Sequence, residues 1–281
     1  MDILKVSNLC KDYPAFSLSD VSFELEAGRI TGFIGRNGAG KTTTMKLLFD
    51  FVHKDSGSVD FFSLPFSENQ GQIKQRIGFV TGGVDYYNTK KLKTITGITR
   101  GFYSNWDEAA YREYLKLFSL DENKTPAQLS AGMKVKYSLA LALSHRAELL
   151  VLDEPTSGLD PISRDELLSI FMDLSDKGVT ILFSTHITSD LDRCADNIIY
   201  IKNGRIIAKD SLRHFVEGYR LAEFDGELST AAAEAAIGCK RSKTGHTALF
   251  CAEDAERLAI GCRPADLEDI MLHMEKEEER I

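Results

Sequence analysis

The sequence predicts an α/β fold with a parallel sheet at its centre, and three short stretches predict it. Ile30 to Ile34 is a compact apolar run that passes straight into G-R-N-G-A-G-K-T (35–42), after which apolar residues recur at helical spacing. Glu148 to Asp153 (E-L-L-V-L-D) carries four apolar residues and ends in the carboxylates Asp153 and Glu154, with Pro155 closing the strand. V-T-I-L-F-S (179–184) is a third such run and ends at Thr185-His186. Strands that are apolar on both faces are what a parallel sheet covered by helices requires. Polar groups gathered at their C-terminal ends stand at the edge where ligands bind in open α/β sheets.

The first stretch matches G-x-x-x-x-G-K-[ST] at every fixed position, which makes it a P-loop. A polyphosphate needs many donors close together, and glycines at 35, 38 and 40 let the backbone turn its N–H groups inward. Gly35, Arg36, Asn37, Gly38, Ala39, Gly40, Lys41, Thr42 and Thr43 are therefore the expected phosphate-binding set. Lys41 adds a positive charge for the outer phosphates, and the Thr42 hydroxyl is placed for the magnesium ion that accompanies ATP. Met45, Leu48, Phe49 and Val52 form one apolar face of the helix that follows, whose N-terminus faces the phosphates. Asp153 is suited to hold the metal through water, and Glu154 to polarise an attacking water. His186, at the end of a core strand beside these carboxylates, is a further catalytic candidate.

In chain order, residues 3–6 and 21–26 read as strands of a half-buried sheet joined through K-D-Y-P-A-F. Tyr13 in that turn either stacks on a purine base or packs under its own turn. Residues 55–62 suggest a turn and a strand, 77–80 a buried strand, and Thr81, Gly82 and Gly83 a flexible corner. From 94 to 143 the pattern turns helical. Asn105 or Asp107 caps a segment in which Ala110, Tyr114, Leu117 and Phe118 share a face, and a second helix after L-S-A-G-M (129–133) carries Val135, Leu139 and Leu143. A helix over 164–174 follows, and Asn203-Gly204 between apolar runs marks a hairpin over 197–208. Beyond Ser211 the texture becomes that of a small α+β unit, with an alanine-rich helix near 230–236, a strand pair around Thr244-Gly245, and a final helix from Pro264. Its E-K-E-E-E-R end (275–280) reads as solvated and frayed.

Length and composition bound the function. At 281 residues the chain can hold one large domain, or one domain plus a small appendage, and 43% hydrophobic and 27% charged residues are ordinary for a soluble globular protein. No apolar run reaches the roughly 18 residues of a membrane span, and M-D-I-L-K lacks a signal-peptide core, so the chain is expected to stay where it is made. Cysteines at 10, 194, 239, 251 and 262 have neither C-x-x-C spacing nor paired histidines, which points away from zinc and disulfides. The net charge of -8 is concentrated late: 9 basic and 15 acidic residues lie from Ser211 onward, against 25 and 27 before it. That balance argues against a nucleic-acid partner.

The P-loop, L-S-A-G-M at 129–133, L-L-V-L-D-E-P at 149–155, S-G-L-D at 157–160 and His186 stand in an order that resembles the ATP-binding subunits of ABC transporters, over residues 1 to about 210. The resemblance implies a P-loop NTPase of the ABC cassette type: a RecA-like core sheet, an antiparallel β subdomain and a helical subdomain (about 84–147). On it, residues 1–212 form the ATPase domain; 213–281 form a small C-terminal α+β domain whose placement suggests dimerisation or regulation, the alternative being a passive stabilising appendage. It implies two cassettes, identical or different, facing head to tail, with Ser130 and Gly132 of one contacting the γ-phosphate held by the other. Glu154 becomes the general base, His186 contacts the γ-phosphate and Asp160 lies at the seam. A separate transmembrane permease would dock a short helix near residues 82–103, placing the chain on the cytoplasmic face of the cell membrane.

Two departures stand out. The signature is usually L-S-G-G-Q, and Ala131 and Met133 replace its third and fifth residues; the glutamine expected near Gly82 is missing, with Asp85 a weak substitute. The S-x-G-M-K form, the glutamine-less corner and the P-x-x-L-E-D-I-M ending look like the bacterial exporter-type subset that drives lantibiotic, peptide or antibiotic efflux. The alternatives are a soluble ABC ATPase acting on ribosomes or DNA, and a nucleotide sensor with little turnover.

Overall fold

The structure is a computed structural model and describes residues 2–81, 87–226, 228–242 and 245–275. Two compact units divide the chain at residues 208 and 209.

The first unit opens with β1 (Asp2–Tyr13) and β2 (Phe16–Glu26), an antiparallel pair considerably longer than the alternation at 3–6 and 21–26 predicts. Register shifts between Val6 and Leu9 and between Leu9 and Lys11 account for the difference. Each shift resets which side chains face inward, so the period of two that marks a strand is broken midway. β3 (Ile30–Ile34) follows, buried throughout, and leads to α1 (Lys41–Leu48). The helix stops at Phe49, and Asp50 takes a positive φ of 54°, so Val52 packs on the core from beyond the helix rather than from its face. β4 (Ser56–Phe61) and β5 (Leu64–Pro65) complete a four-stranded sheet in the order β2-β1-β4-β5. α2 (Phe66–Lys74) adds Phe66 to an aromatic group in which Phe49 meets Phe61, Phe66 and Phe79 at 4.8–6.1 Å between ring centres.

β6 (Ile77–Thr81) ends at the predicted corner; Gly82, Gly83 and Asp85 lie outside the described residues. Three helices then come between two core strands: α3 (Leu92–Arg100), α4 (Glu108–Leu117) and α5 (Ala131–Ser144). Asp107 is the cap of α4, its carboxylate accepting the Ala110 N–H at 3.0 Å. The expected face of α4 is corrected: Tyr111 and Phe118 are buried while Leu117 is 69% exposed. Counting from Ala110 instead of Tyr111 turns the face by one residue, about 100° on a helix. The helices are tied by polar groups inside, where Thr96 Oγ1 meets the Tyr111 and Tyr137 hydroxyls at 2.7 and 2.8 Å and Tyr137 donates to the Leu92 carbonyl at 3.1 Å. A buried network of this kind holds a packing together when every member is satisfied.

β7 (Leu149–Asp153), α6 (Pro161–Asp176), β8 (Thr180–Thr185), α7 (Thr188–Cys194), β9 (Asn197–Lys202) and β10 (Arg205–Ser211) finish a six-stranded sheet ordered β10-β9-β3-β8-β7-β6. α6 begins at Pro161, earlier than Arg164, because Asp160 caps it and a proline at the first helical position has no N–H to satisfy. Asn203 and Gly204 both take positive φ, 48° and 74°, which is the hairpin turn that their dipeptide predicts.

In the second unit, α8 (Leu212–Glu217), β11 (Tyr219–Phe224), α9 (Thr230–Ala235), β12 (Gly238–Ser242), β13 (Gly245–Cys251), α10 (Ala252–Arg257), β14 (Arg263–Pro264) and α11 (Leu267–Glu275) surround an antiparallel sheet ordered β12-β13-β11-β14. Ala222, Ala248 and Phe250 alternate to one face and pack with Ala232 and Ala255 of α9 and α10. α11 packs against β12 and β13.

Candidate functional site

Strand register places the site. Ile34 is level with Thr185, and Asp153 with Ser184, so β3, β7 and β8 end together and release Gly35, Glu154 and His186 at one edge of the sheet. A cleft of about 560 Å³ opens there, lined by Arg36, Asn37, Gly38, Gly40, Lys41, Thr42 and Thr43 from the loop and α1, by Glu154 and His186, and by Ala15, Phe16 and Ser157. Gly40 caps α1 with φ 114°, a left-handed conformation that favours glycine, and no side chain caps that helix. Gly35 lies so close to the Ile201 carbonyl that a Cβ would collide with it. Ala39 closes the turn through N–H donation to the Arg36 carbonyl at 3.1 Å.

Lys41 is 5% exposed and fully engaged. Its ammonium donates to the carbonyls of Gly35 at 2.7 Å and Arg36 at 3.3 Å, and pairs with Glu154 Oε1 at 3.2 Å. The other Glu154 oxygen accepts from His186 Nδ1 at 2.9 Å. Glu154 has φ 50°, uncommon for a residue with a Cβ and the sort of strain that gathers at functional sites. Beside it, Asp153 Oδ1 accepts from the Thr42 hydroxyl at 3.2 Å and the Ser184 hydroxyl at 2.7 Å, and Ser184 Oγ accepts the Glu154 N–H at 2.9 Å.

The structure thus brings the P-loop, Asp153, Glu154 and His186 into one constellation. Tyr13 does not line the cleft; it ends β1 opposite Phe16, is 39% exposed, and has the Lys11 ammonium 5.8 Å from its ring centre. Ser130, Gly132 and Asp160 lie elsewhere, where the starts of two helices meet. Ser130 caps α5 by accepting the Met133 N–H at 3.2 Å, and Gly132 sits where a Cβ would come within 3.4 Å of Ser163 on α6. Asp160 accepts the N–H groups of Ile162 and Ser163 at 3.0 Å each. The Ser163 hydroxyl and N–H, with the Ile162 N–H, hold its carboxyl below the usual range.

Sequence reasoning missed Phe16, Ser157 and Ser184. Ser184 was within reach, since it is the last residue of an apolar strand run immediately before Thr185-His186, but its bond to Asp153 depends on which strand lies beside β7. Asp190 was missed for the same reason: it lies 1% exposed and accepts the Thr156 hydroxyl at 2.6 Å. Burial pushes its carboxyl above the ordinary value, partly offset by the Thr156 hydroxyl and Arg164.

A hard divalent cation fits this donor set. The Thr42 hydroxyl and an Asp153 oxygen are adjacent, and no group of three or more His, Cys, Asp or Glu that would hold a metal exists among the described residues. Magnesium matches that pattern, because it is commonly held by one or two protein oxygens together with substrate phosphates and water.

Residues 18–157 match the family model described as ABC transporter. The bacitracin transport ATP-binding protein BcrA of Bacillus licheniformis is 32% identical over 216 residues, covering 75% of this chain and 71% of that protein. The Nod factor export ATP-binding protein I of Burkholderia lata is 32% identical over 278 residues, covering 92% and 91%. A solved structure of the ATP binding subunit of an ABC transporter superposes with a TM-score of 0.68 at 29% identity, over 76% of this chain and 93% of that one.

Proposed function

From the premise that the chain belongs to the ABC transporter family as one of its ATP-binding subunits, we propose that it hydrolyses ATP between two head-to-tail copies or relatives and so powers export through a separate membrane subunit. The observation that carries the reading is the convergence of Lys41, Thr42, Asp153, Glu154 and His186 in one cleft. Lys41 moves from Glu154 to the outer phosphates of ATP, which lie over the open N-terminus of α1. Glu154, released from its ion pair, orients and deprotonates the attacking water. His186 turns its ring N–H from Glu154 to a γ-phosphate oxygen, which frees the base as the donor engages the nucleotide. Thr42 and Asp153 would hold magnesium, with Ser184 orienting the carboxylate; when bound, the metal would supply charge neutralisation on the phosphates. Ser130 and Gly132 of the second subunit close the site, Asp160 lies along the seam, and Phe16, which lines the cleft, flanks the purine base.

The names of the relatives, for bacitracin transport and Nod factor export, support export as the direction of work. No helix among the described residues is long and apolar enough to cross a membrane, which fits a pathway built by another polypeptide. Ile98 and Phe102 are exposed apolar groups on and just after α3, suited to receive a short helix from that polypeptide. The test is phosphate release by wild type and Glu154→Gln. Wild type is expected to turn over and the variant to lose about two to four orders of magnitude. Equal rates near zero in both would replace the reading with that of a nucleotide sensor. Failure to fractionate with membranes when co-expressed with its membrane subunit would remove the transport part.

A further inference from the structure

Buried polar atoms without partners are rare in a folded protein and call for an explanation. Among the described residues, two of the few such atoms face each other: Asp190 Oδ1 and Arg164 Nε, 3.8 Å apart. The other Asp190 oxygen is bonded to Thr156, which is fully buried. Arg164 is in the first turn of α6, its N–H bonded to the carbonyl of the cap residue Asp160. Asp190 is in the first turn of α7, four residues after His186. Thr156 is two residues after Glu154, in the loop whose backbone bonds Ser157 to Glu154 and Leu159 to Thr156. One carboxylate therefore bonds the loop that follows Glu154, sits four residues after His186, and faces the helix start that carries Asp160.

A half-satisfied buried carboxylate opposite a guanidinium Nε just beyond bonding distance is a poor resting arrangement, since Asp190 Oδ1 and Arg164 Nε have both been taken from water without a hydrogen bond in return, although the rest of the Arg164 side chain is partly exposed. A shift of α6 by less than a side-chain length would turn the 3.8 Å separation into a bond. We propose that Asp190 is a positioning residue: when a second subunit engages Asp160, the start of α6 moves, Arg164 bonds Asp190, and the Thr156 loop is held with Glu154 and His186 in the hydrolytic geometry. This rests on the two-subunit reading above. The pair makes catalysis conditional on the seam being closed, and neither residue lines the ATP cleft.

The experiment compares wild type with Asp190→Asn, which keeps an acceptor for Thr156 but removes the charge opposite Arg164, with Arg164→Gln, and with the double variant. Steady-state kinetics are read as kcat separately from KM, with thermal unfolding of the nucleotide-free chain as the structural control. Expected is a fall in kcat of about tenfold or more in each single variant, with KM for ATP within about twofold. The double variant should be no worse than the worse single one, because the two act as a unit. Unchanged kcat in Asp190→Asn, losses that multiply in the double variant, or a kcat loss that follows the fall in unfolding temperature would overturn the proposal. Failure of the underlying reading looks different: wild type itself would not turn over, or Glu154→Gln with ATP and magnesium would stay monomeric.

Discussion

Helices α1 and α5 both begin where phosphate is expected, and they begin in opposite ways. α1 starts at a left-handed glycine with no side chain over its first N–H groups, whereas α5 starts at Ser130, whose hydroxyl already accepts the Met133 N–H. An uncapped start is a ready receptor for an anion, and a capped one has its donor satisfied from within. On the proposed two-subunit reading, the difference teaches that one helix start is open to a phosphate in the single chain, while the other has its donor satisfied from within until a phosphate arrives from a second subunit.

The strongest way to break the comparison is Lys41→Ala. Removing a charge-assisted contact to more than one phosphate is expected to cost about 4 kcal/mol, close to a thousandfold in nucleotide affinity, measured by titration with a fluorescent ATP analogue. Unchanged affinity would mean that the α1 end is not the primary site. The far end of α5 supplies the next effect. His145 caps that helix, stacks on Tyr103 with ring centres 3.7 Å apart, donates from Nδ1 to the Gln75 carbonyl at 3.2 Å, and is lowered by burial to about 4. Its folded value lies below its unfolded one, so the unfolded chain takes up a proton that the buried ring does not. Stability is full above about pH 6.5 and falls as pH drops toward 4, by up to about 3 kcal/mol. Denaturant melts at pH 7 and 4.5 should show a smaller acid loss in His145→Phe than in wild type. The smallest effect on the fold is expected from Ser130→Ala, about 1 kcal/mol for a lost cap. The same variant should bind nucleotide as wild type does yet lose about tenfold in kcat, since its hydroxyl acts in the neighbour's site. Weaker binding to the isolated variant would erase the contrast between the helices.

What could be read in advance depended on distance along the chain. The strand, loop and helix at 30–48 were legible because their chemistry is contiguous, and Asp107 and the Asn203-Gly204 turn because a cap and a tight turn are local devices. The carboxylates after β7 were legible from an apolar run that stops at an acid. Strand bulges hid most of β1 and β2, and a one-residue error in phase placed Leu117 on the buried face when it is exposed. Ser184 and Asp190 act across 31 and 34 residues of sequence, through strand order and helix placement that no local pattern reports.

The ion pair between Lys41 and Glu154 means that the chain itself supplies a partner for the P-loop ammonium. A lone inorganic anion must evict a carboxylate that is already seated and held by the same chain, and it brings fewer contacts than a triphosphate with which to do so. A triphosphate displaces it with many contacts at once, and the same eviction arms the carboxylate. On the proposed reading, the molecule that is hydrolysed is therefore also the one that frees the base.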